Sequence, residues 1–343
     1  MSPQKFQREF QIGDREVGPK APVLVIAEAG VAHFGDMDLA RQLVDLAAES
    51  GADVFKTQVF DVDELIADTA QDWRDRLRSR NLSLPQFQEL KERCEKAGLL
   101  FMATAHDPSR IAWLQELDVP AIKVGSGERN NPRFLAELAA LEKPMIISTG
   151  MYREADVTEA LAALSGAGAD RVALLHCVTS YPTPTADVNL SAMDALQSMF
   201  PGPVGYSDHT EDHLAVLSAV ARGAAVVEKH ITILRDIPDA QDWKVSAGPE
   251  DFPELVRNIR RIEALLGHGR KEPAPSEQDG QAWALKSVVA ARDLAKGLKI
   301  EPGDLAAKRP GTGIPANRIE DFFGRTLNKD VTADEALSFE DLK

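Results

Sequence analysis

The fold is decided by two stretches of sequence, Gly-Tyr-Ser-Asp-His-Thr at residues 205–210 and Val-Val-Glu-Lys-His-Ile-Thr at residues 226–232. Each begins as a short apolar run and ends in polar, ionisable residues. Strands with reactive groups only at their ends are typical of parallel barrels and doubly wound sheets, whose active sites lie at the carboxyl ends of the strands. If the two strands are neighbours, His209 and His230 face each other and can bind one divalent metal ion.

The chain around these stretches repeats one unit, an apolar run followed by a helical pattern. We predict strands at 23–28, 53–58, 99–104, 121–125, 144–149, 171–177, 203–207 and 225–230. Eight such units with nearly continuous apolar strands predict an α/β fold, a (β/α)₈ TIM barrel. A doubly wound open sheet would give the same alternation, but the count of eight and the polar group at nearly every strand end favour the barrel.

The chain is longer than one barrel requires. It has 343 residues, whereas a typical barrel takes about 250. We predict a barrel domain at 1–267 that opens with a short hairpin. A linker without apolar periodicity follows at 268–286. The remaining residues, 287–343, alternate short strand-like runs with turns and predict a small mixed-β domain, in which Arg309 begins an Arg-Pro-Gly-Thr-Gly turn.

The composition is that of an ordinary globular protein, with 44% hydrophobic and 27% charged residues. A net charge of −15 argues against nucleic acid or an anionic membrane as a partner, because both require a basic face. The two cysteines, Cys94 and Cys177, fit a reducing compartment. We see no signal peptide and no run of roughly 18 apolar residues, so we expect a cytoplasmic protein.

Polar residues at the predicted strand ends would gather at the mouth of a barrel. They are Glu28, Lys56, Gln58, Thr104, Lys123, Ser126, Glu128, Ser148, Thr179, Tyr181, Ser207, Asp208, His209, Glu228 and His230. Lysines with hydroxyl donors suit phosphate and carboxylate oxygens. Two histidines completed by water suit Mn²⁺ or Mg²⁺ acting as a Lewis acid on a carbonyl. A phosphorylated anion beside a polarised carbonyl suggests carbon–carbon bond formation from phosphoenolpyruvate.

Several short motifs together are highly specific. They are Ile-Ala-Glu-Ala-Gly at 26–30, Gly-Asp at 35–36, Gly-Ala-Asp at 51–53 with Lys-Thr-Gln at 56–58, Lys-Val-Gly-Ser-Gly-Glu at 123–128, Ile-Ser-Thr-Gly-Met at 147–151, Leu-His-Cys at 175–177 with Tyr-Pro at 181–182, Asp-Val-Asn-Leu at 187–190, and the two stretches quoted first. With them, nearly the whole chain resembles the sialic acid (N-acetylneuraminate) synthases and their legionaminate and pseudaminate relatives. The tail resembles that family's antifreeze-like (SAF, β-clip) domain.

The resemblance implies a nonulosonic acid synthase. The family condenses phosphoenolpyruvate with an open-chain N-acylated amino-hexose, breaks the C–O bond and releases phosphate. The resemblance implies catalytic roles for Glu28, His209 and His230, with Mn²⁺ or Mg²⁺ on the two histidines. The residues that match the phosphoenolpyruvate site are Lys56, Thr104, Lys123, Ser126, Ser148, Tyr181 and Ser207. The residues that match sugar contacts are Gln58, Glu128, Asp242 and Arg309. Arg309 would come from the partner subunit of a domain-swapped homodimer.

The chain departs from the family pattern on the sugar side. Ala-His-Phe-Gly at 32–35 stands where the family usually has Asn-His-Asn-Gly, and Thr179 stands where some members have Asn. Asp-Ala-Gln-Asp at 239–242 replaces Pro-Gly-Pro-Asp. We therefore predict an acceptor such as a diacetamido-trideoxyhexose rather than N-acetylmannosamine.

Two other functions fit the same sequence. One is a metal-dependent aldolase or isomerase on the same barrel, and the other is a non-catalytic sugar-binding or morphogenetic protein, since barrels support many chemistries. Several residues also have plain structural interpretations. His106 follows the third strand and is placed to reach the mouth, but we expect a loop role for it. We expect Lys229 to face away from the mouth, because it lies between two mouth residues. Trp73 fits a wall of the sugar site and a loop anchor equally well.

Overall fold

The computed structural model of the chain describes residues 6–237 and 242–343. It divides into two compact units, Met1–Gly267 and His268–Lys343. The strands in chain order are β1 Phe10–Ile12, β2 Arg15–Val17, β3 Leu24–Gly30, β4 Val54–Val59, β5 Leu100–Ala105, β6 Ile122–Val124, β7 Met145–Ser148, β8 Val172–His176, β9 Val204–Asp208, β10 Val226–His230, β11 Ser287–Ala290 and β12 Leu305–Lys308. Strands β3 to β10 pair in parallel and close into a barrel, in which β10 lies between β9 and β3. The predicted TIM barrel is confirmed.

Helices follow the barrel strands. They are α1 Met37–Glu49, α2 Val62–Leu65, α3 Gln71–Arg78, α4 Leu84–Lys96, α5 Ile111–Glu116, α6 Pro132–Ala139, α7 Glu154–Gly166, α8 Ala192–Met199, α9 Leu214–Ala221 and α10 Phe252–Leu266, with α11 Gln278–Ala284 in the second unit. Local sequence fixes where they begin. The Asp36 carboxylate accepts from the first backbone N–H groups of α1, and Ser83 with Gln86 forms a capping box at α4. Of the helices described, none has the length and apolar character needed to cross a membrane.

The alternation of the strands divides the apolar residues into two cores. On β3, Val25 and Ala27 pack in the large core that also contains residues of the surrounding helices, whereas Leu24 and Ile26 pack inside the barrel. The inner core includes Ile12 from the β1–β2 hairpin. The other residues of this inner core lie mainly near the starts of the barrel strands. The hairpin therefore closes the amino end of the barrel. The carboxyl ends are left to polar side chains.

The polar insert between β4 and α4 is helical, where the sequence suggested only an insert containing Trp73. Helix α2 begins at the Asp61 cap, and α3 follows a short 3₁₀ turn. Arg74 of α3 is buried and binds the carboxylates of Asp63 and Asp68. These ion pairs tie the two helices together, so the insert is an ordered part of the barrel domain.

The second unit has its own small core around Val288, Phe322 and Leu337. Strands β11 and β12 pair antiparallel, and a 3₁₀ helix covers Ala316–Phe322, which agrees with the predicted SAF-type domain. The segment 268–286, predicted as a linker, contains α11 and belongs to this unit. Helix α11 lacks the apolar stripe that would mark it in the sequence. A backbone hydrogen bond of 2.9 Å from the Gly311 N–H to the Ala282 carbonyl holds it against the rest of the unit.

Candidate active site

A cavity of about 500 Å³ opens at the carboxyl ends of the barrel strands. Most of the residues predicted for the site line it, namely Glu28, Lys56, Gln58, Thr104, Lys123, Ser126, Ser148, Tyr181, Ser207, His209, His230 and Asp242. Glu128, for which we predicted a sugar contact, is not one of the described residues that line the cavity. The side chain of Glu128 instead accepts a 2.8 Å bond from Asn131 at the start of α6.

Arg309 lies in the second unit, where its guanidinium packs over the Trp283 ring at 5.5 Å. The predicted sugar loop at 239–241 lies outside the described residues. Asp242, the last residue of that loop motif, lines the cavity.

Lys56 is the centre of a buried charge cluster on the cavity floor. Its Nζ lies 3.0 Å from Glu28 Oε2, 3.5 Å from Glu228 Oε2 and 3.3 Å from Thr104 Oγ1. Burial disfavours its charge, but the carboxylates of Glu228 and Glu28 outweigh burial and raise the pKa of Lys56. Burial raises the pKa of Glu28, against the opposing charge of Lys56. The floor therefore holds a firmly charged lysine beside a carboxyl that binds a proton readily.

Lys123 is a second buried lysine on the cavity floor, and burial lowers its pKa against the opposing charge of Glu228. Its Nζ donates to Ser148 Oγ at 2.7 Å and lies 3.6 Å from Glu228 Oε1. Glu228 also accepts from Ser207 Oγ at 3.2 Å. Burial opposes ionisation of Glu228, yet Lys123 and Lys56 lower its pKa to about 2. Sequence reasoning gave Glu228 a place at the mouth but no role. Its spacing of two from His230, which puts both on the inward face of β10, was the available signal.

His209 and His230 end adjacent strands, and their ring centroids are 5.5 Å apart. His209 Nδ1 lies 2.6 Å from the Val178 carbonyl, to which it donates, so Nε2 carries the lone pair and accepts from the Tyr181 hydroxyl at 2.9 Å. Burial lowers the pKa of His209 and brings that of His230 to about 4. Neutral imidazoles are the form that binds metal ions.

The residues fit a metal site that two protein ligands begin and water completes. No cluster of three or more histidine, cysteine or acidic side chains suited to a metal occurs in the described part of the chain. Two neutral imidazoles on adjacent strands, one held in its tautomer by a backbone carbonyl, meet the requirement for an open site.

Asp208 does not belong to the cavity lining, contrary to our expectation. It points away from the mouth and binds Lys229 Nζ at 2.5 Å, while its carboxylate also accepts from the Tyr206 hydroxyl at 3.0 Å. Lys229 also donates to the Thr210 carbonyl at 2.7 Å. Alternation along β9 and β10 puts Ser207 and Glu228 inward and Asp208 and Lys229 outward. This buried pair supports the backbone beside both site histidines.

His106 and Trp73, for which the sequence offered structural roles, both line the cavity. His106 faces the lysines of the floor, contrary to the expected loop role, and Trp73 of α3 lies on the wall together with Leu77. His33 is buried outside this lining, where its Nδ1 accepts from the Gly35 backbone at 3.1 Å and burial lowers its pKa to about 4. A structural role for His33 fits that position.

The fold and the cavity define the chain as a TIM-barrel enzyme with buried, oppositely charged groups at the carboxyl ends of its strands. The model of the NeuB family matches residues 43–271, and that of the SAF domain matches residues 286–343. The chain belongs to the NeuB family.

Known proteins match the chain along most of its length. It is 40% identical to an uncharacterized protein of Methanocaldococcus jannaschii, over 97% of this chain and 98% of that protein. It is 38% identical to the N,N'-diacetyllegionaminic acid synthase of Campylobacter jejuni, over 92% of this chain and 98% of that enzyme. The crystal structure of an N-acetylneuraminic acid synthetase from Leptospira borgpetersenii superposes with a TM-score of 0.75 at 35% identity, covering 79% of this chain and 94% of that one. These matches support a nonulosonic acid synthase.

Proposed function

We propose that the chain condenses phosphoenolpyruvate with an open-chain N-acylated amino-hexose to give a nine-carbon 2-keto acid and inorganic phosphate. The observation that carries this proposal is the pair of buried lysines, Lys56 and Lys123, beside two neutral histidines. Phosphoenolpyruvate carries both a phosphate and a carboxylate, and two lysines among hydroxyl donors suit such an anion. The hydroxyl donors near it would be Thr104, Ser126, Ser148, Tyr181 and Ser207.

The reaction balances with groups already in the cavity. Carbon 3 of phosphoenolpyruvate attacks the aldehyde carbon, and water adds to carbon 2. The tetrahedral intermediate then loses phosphate, which leaves with the bridging oxygen. Glu28 is suited to take the proton of the attacking water, because burial raises its pKa and Gln58 Nε2 holds its Oε1 at 3.1 Å. The proton that Glu28 takes from the water passes to the aldehyde oxygen, and the second proton of the water leaves with phosphate as carbon 2 becomes a carbonyl. One water is therefore consumed for each phosphate released.

His209 and His230 would hold a divalent metal ion, Mn²⁺ or Mg²⁺, which supplies Lewis-acid polarisation of a carbonyl when bound. The Val178 carbonyl keeps the His209 proton on Nδ1, so Nε2 would be the ligand atom, and the metal would replace the Tyr181 hydroxyl that Nε2 accepts from in this structure. Gln58 and Asp242 line the cavity and would contact the sugar.

Loss of one histidine is expected to remove most of the metal affinity. We predict that His230→Asn lowers the affinity for Mn²⁺ by about a hundredfold or more, since a weaker amide oxygen replaces one of two protein ligands. Titration of Mn²⁺ by electron paramagnetic resonance measures this directly, without substrate. His268→Asn, at an exposed histidine, is the control. Wild-type affinity in His230→Asn would contradict this metal site.

The acceptor is proposed to be a diacetamido-trideoxyhexose. The similarity to a diacetyllegionaminic acid synthase supports this class, as do the sequence departures at 32–35 and 239–242. Phosphate release from phosphoenolpyruvate should be measured with Mn²⁺ across a panel of N-acyl hexoses, with each product identified by mass. Comparable turnover of N-acetylmannosamine and the trideoxy sugar would reject this acceptor.

The same panel separates the two other functions. An aldolase or isomerase would convert a sugar without phosphoenolpyruvate, and a binding protein would retain a sugar without turnover. The buried cluster of Lys56, Lys123 and Glu228 favours a catalytic site, because burying ionisable groups that serve no function is costly.

We also propose a domain-swapped homodimer in which the partner subunit's Arg309 reaches the N-acyl group. Arg309→Ala and His209→Asn should each be nearly inactive alone. Mixing the two chains under exchange should restore about a quarter of the wild-type activity, because half of the dimers would be mixed and each would contain one intact site. Absence of any recovery, with exchange demonstrated by native mass spectrometry, would count against sharing of Arg309 between subunits.

A further inference from the structure

His106 is a cavity residue to which the proposed reaction gives no role. It directly follows β5, and residues of β5 alternate between the two sides of the barrel wall. Ala103 and Ala105 pack in the outer core, whereas Thr104 lines the cavity. His106 is two residues after Thr104 and lines the cavity too. The backbone N–H of His106 donates to the Val59 carbonyl at 3.2 Å, so the pairing with β4 extends to this residue and fixes its direction.

The imidazole of His106 has no hydrogen-bond partner among the residues that the structure describes. Burial, together with the charges of Lys56 and Lys123, lowers its pKa to about 4. The ring is therefore neutral and has one N–H donor and one acceptor nitrogen. A Cβ placed on Gly125 would lie 3.8 Å from Cε1 of the ring. The ring therefore lies beside the turn that carries Ser126. Its two nitrogen atoms are available to bind a molecule in the cavity.

We propose that His106 binds the phosphoryl group of the anionic substrate by donating a ring N–H to one of its oxygens. This inference rests on the proposed function. The phosphoryl group is favoured over the carboxylate because His106 adjoins two hydroxyl donors, Thr104 on its own strand and Ser126 across Gly125. A phosphoryl group offers three oxygens to such a set of donors, and a neutral donor adds to the charges of the lysines without repelling them.

A binding role and a structural role predict different results for His106. The ring makes no hydrogen bond to the residues that the structure describes, so replacing it removes no hydrogen bond among them. His106→Phe keeps a ring of similar size without a donor, and His106→Asn keeps an N–H donor. Thermal unfolding of both variants shows whether the fold is intact. Binding measured by calorimetry on the full-length chain, without acceptor, then isolates the contact.

We expect His106→Phe to bind phosphoenolpyruvate and inorganic phosphate about tenfold more weakly than wild type, the loss typical of a hydrogen bond to a charged group. Binding of pyruvate should be unchanged, and His106→Asn should stay within about threefold of wild type. The KM for phosphoenolpyruvate should rise in His106→Phe while the KM for the sugar stays constant.

Wild-type binding of phosphate and phosphoenolpyruvate by His106→Phe would overturn the inference. Weaker binding of pyruvate alone would assign the contact to the carboxylate and would also overturn it. If wild type bound phosphate in a His106-dependent way but did not bind phosphoenolpyruvate, the inference would hold and the proposed function would fail.

Discussion

Lys123→Met is expected to lower kcat/KM for phosphoenolpyruvate by about a thousandfold, the scale of losing a preorganised group that stabilises transition-state charge. Lys123 is buried, and its Nζ lies between Ser148 Oγ and Glu228 Oε1. Without it, Glu28 and Glu228 face Lys56 alone, and an incoming anion meets two carboxylates with one compensating charge. Both binding and catalysis should therefore suffer. Steady-state phosphate release at saturating sugar measures the effect.

A matched control and a second-site variant make this prediction specific. Lys143→Met removes a lysine whose partner, Asp118, is exposed, and it should leave kcat/KM unchanged because surface ion pairs contribute little. Adding Glu228→Gln to Lys123→Met should recover part of the affinity for phosphoenolpyruvate, since it removes the uncompensated carboxylate. Activity of Lys123→Met within tenfold of wild type would contradict the role of Lys123.

Lys229→Met is expected to lower the free energy of unfolding by about 3–5 kcal/mol, the cost of leaving one member of a buried ion pair without its partner. The Asp208 carboxylate would stay buried, and the carbonyl of Thr210 would lose a donor. Urea unfolding followed by circular dichroism measures the change.

The double variant Asp208→Leu with Lys229→Met tests the cause. Removal of both charges should restore much of the lost stability, because an apolar pair leaves no isolated charge. Lys244→Met serves as the control and should change the stability little. The ammonium group of Lys244 lies 5.8 Å from the Trp243 ring. Wild-type stability of Lys229→Met alone would mean that Asp208 finds another partner or water.

The barrel could be predicted because each of its strands is largely apolar on both faces and carries a polar residue at or near its carboxyl end. Both cores, inside the barrel and under the helices, demand that pattern, so strands such as β3 and β10 are visible in the sequence. The helices α2, α3 and α11 were missed for a related reason. They are held by polar contacts, such as those of Arg74, and have few apolar residues to mark a buried face.

The site was predictable where position along a strand decides direction. Glu28, Lys56, Lys123 and the two histidines all reach one cavity, as expected from strand ends in a barrel. The ion pairing of Glu228 with two lysines was not predictable, because it depends on which strands become neighbours. The position of His106 followed from its spacing of two from Thr104, a signal that the expected loop role overlooked.

The most direct test of the proposed condensation follows the bridging oxygen of phosphoenolpyruvate. Phosphoenolpyruvate labelled with ¹⁸O at that oxygen should be incubated with the chain, Mn²⁺ and the acceptor sugar, and the released phosphate should be analysed by mass. We predict sugar-dependent release of phosphate that carries the label, because carbon 2 loses its C–O bond. Unlabelled phosphate, or phosphate released equally without sugar, would contradict the proposed condensation.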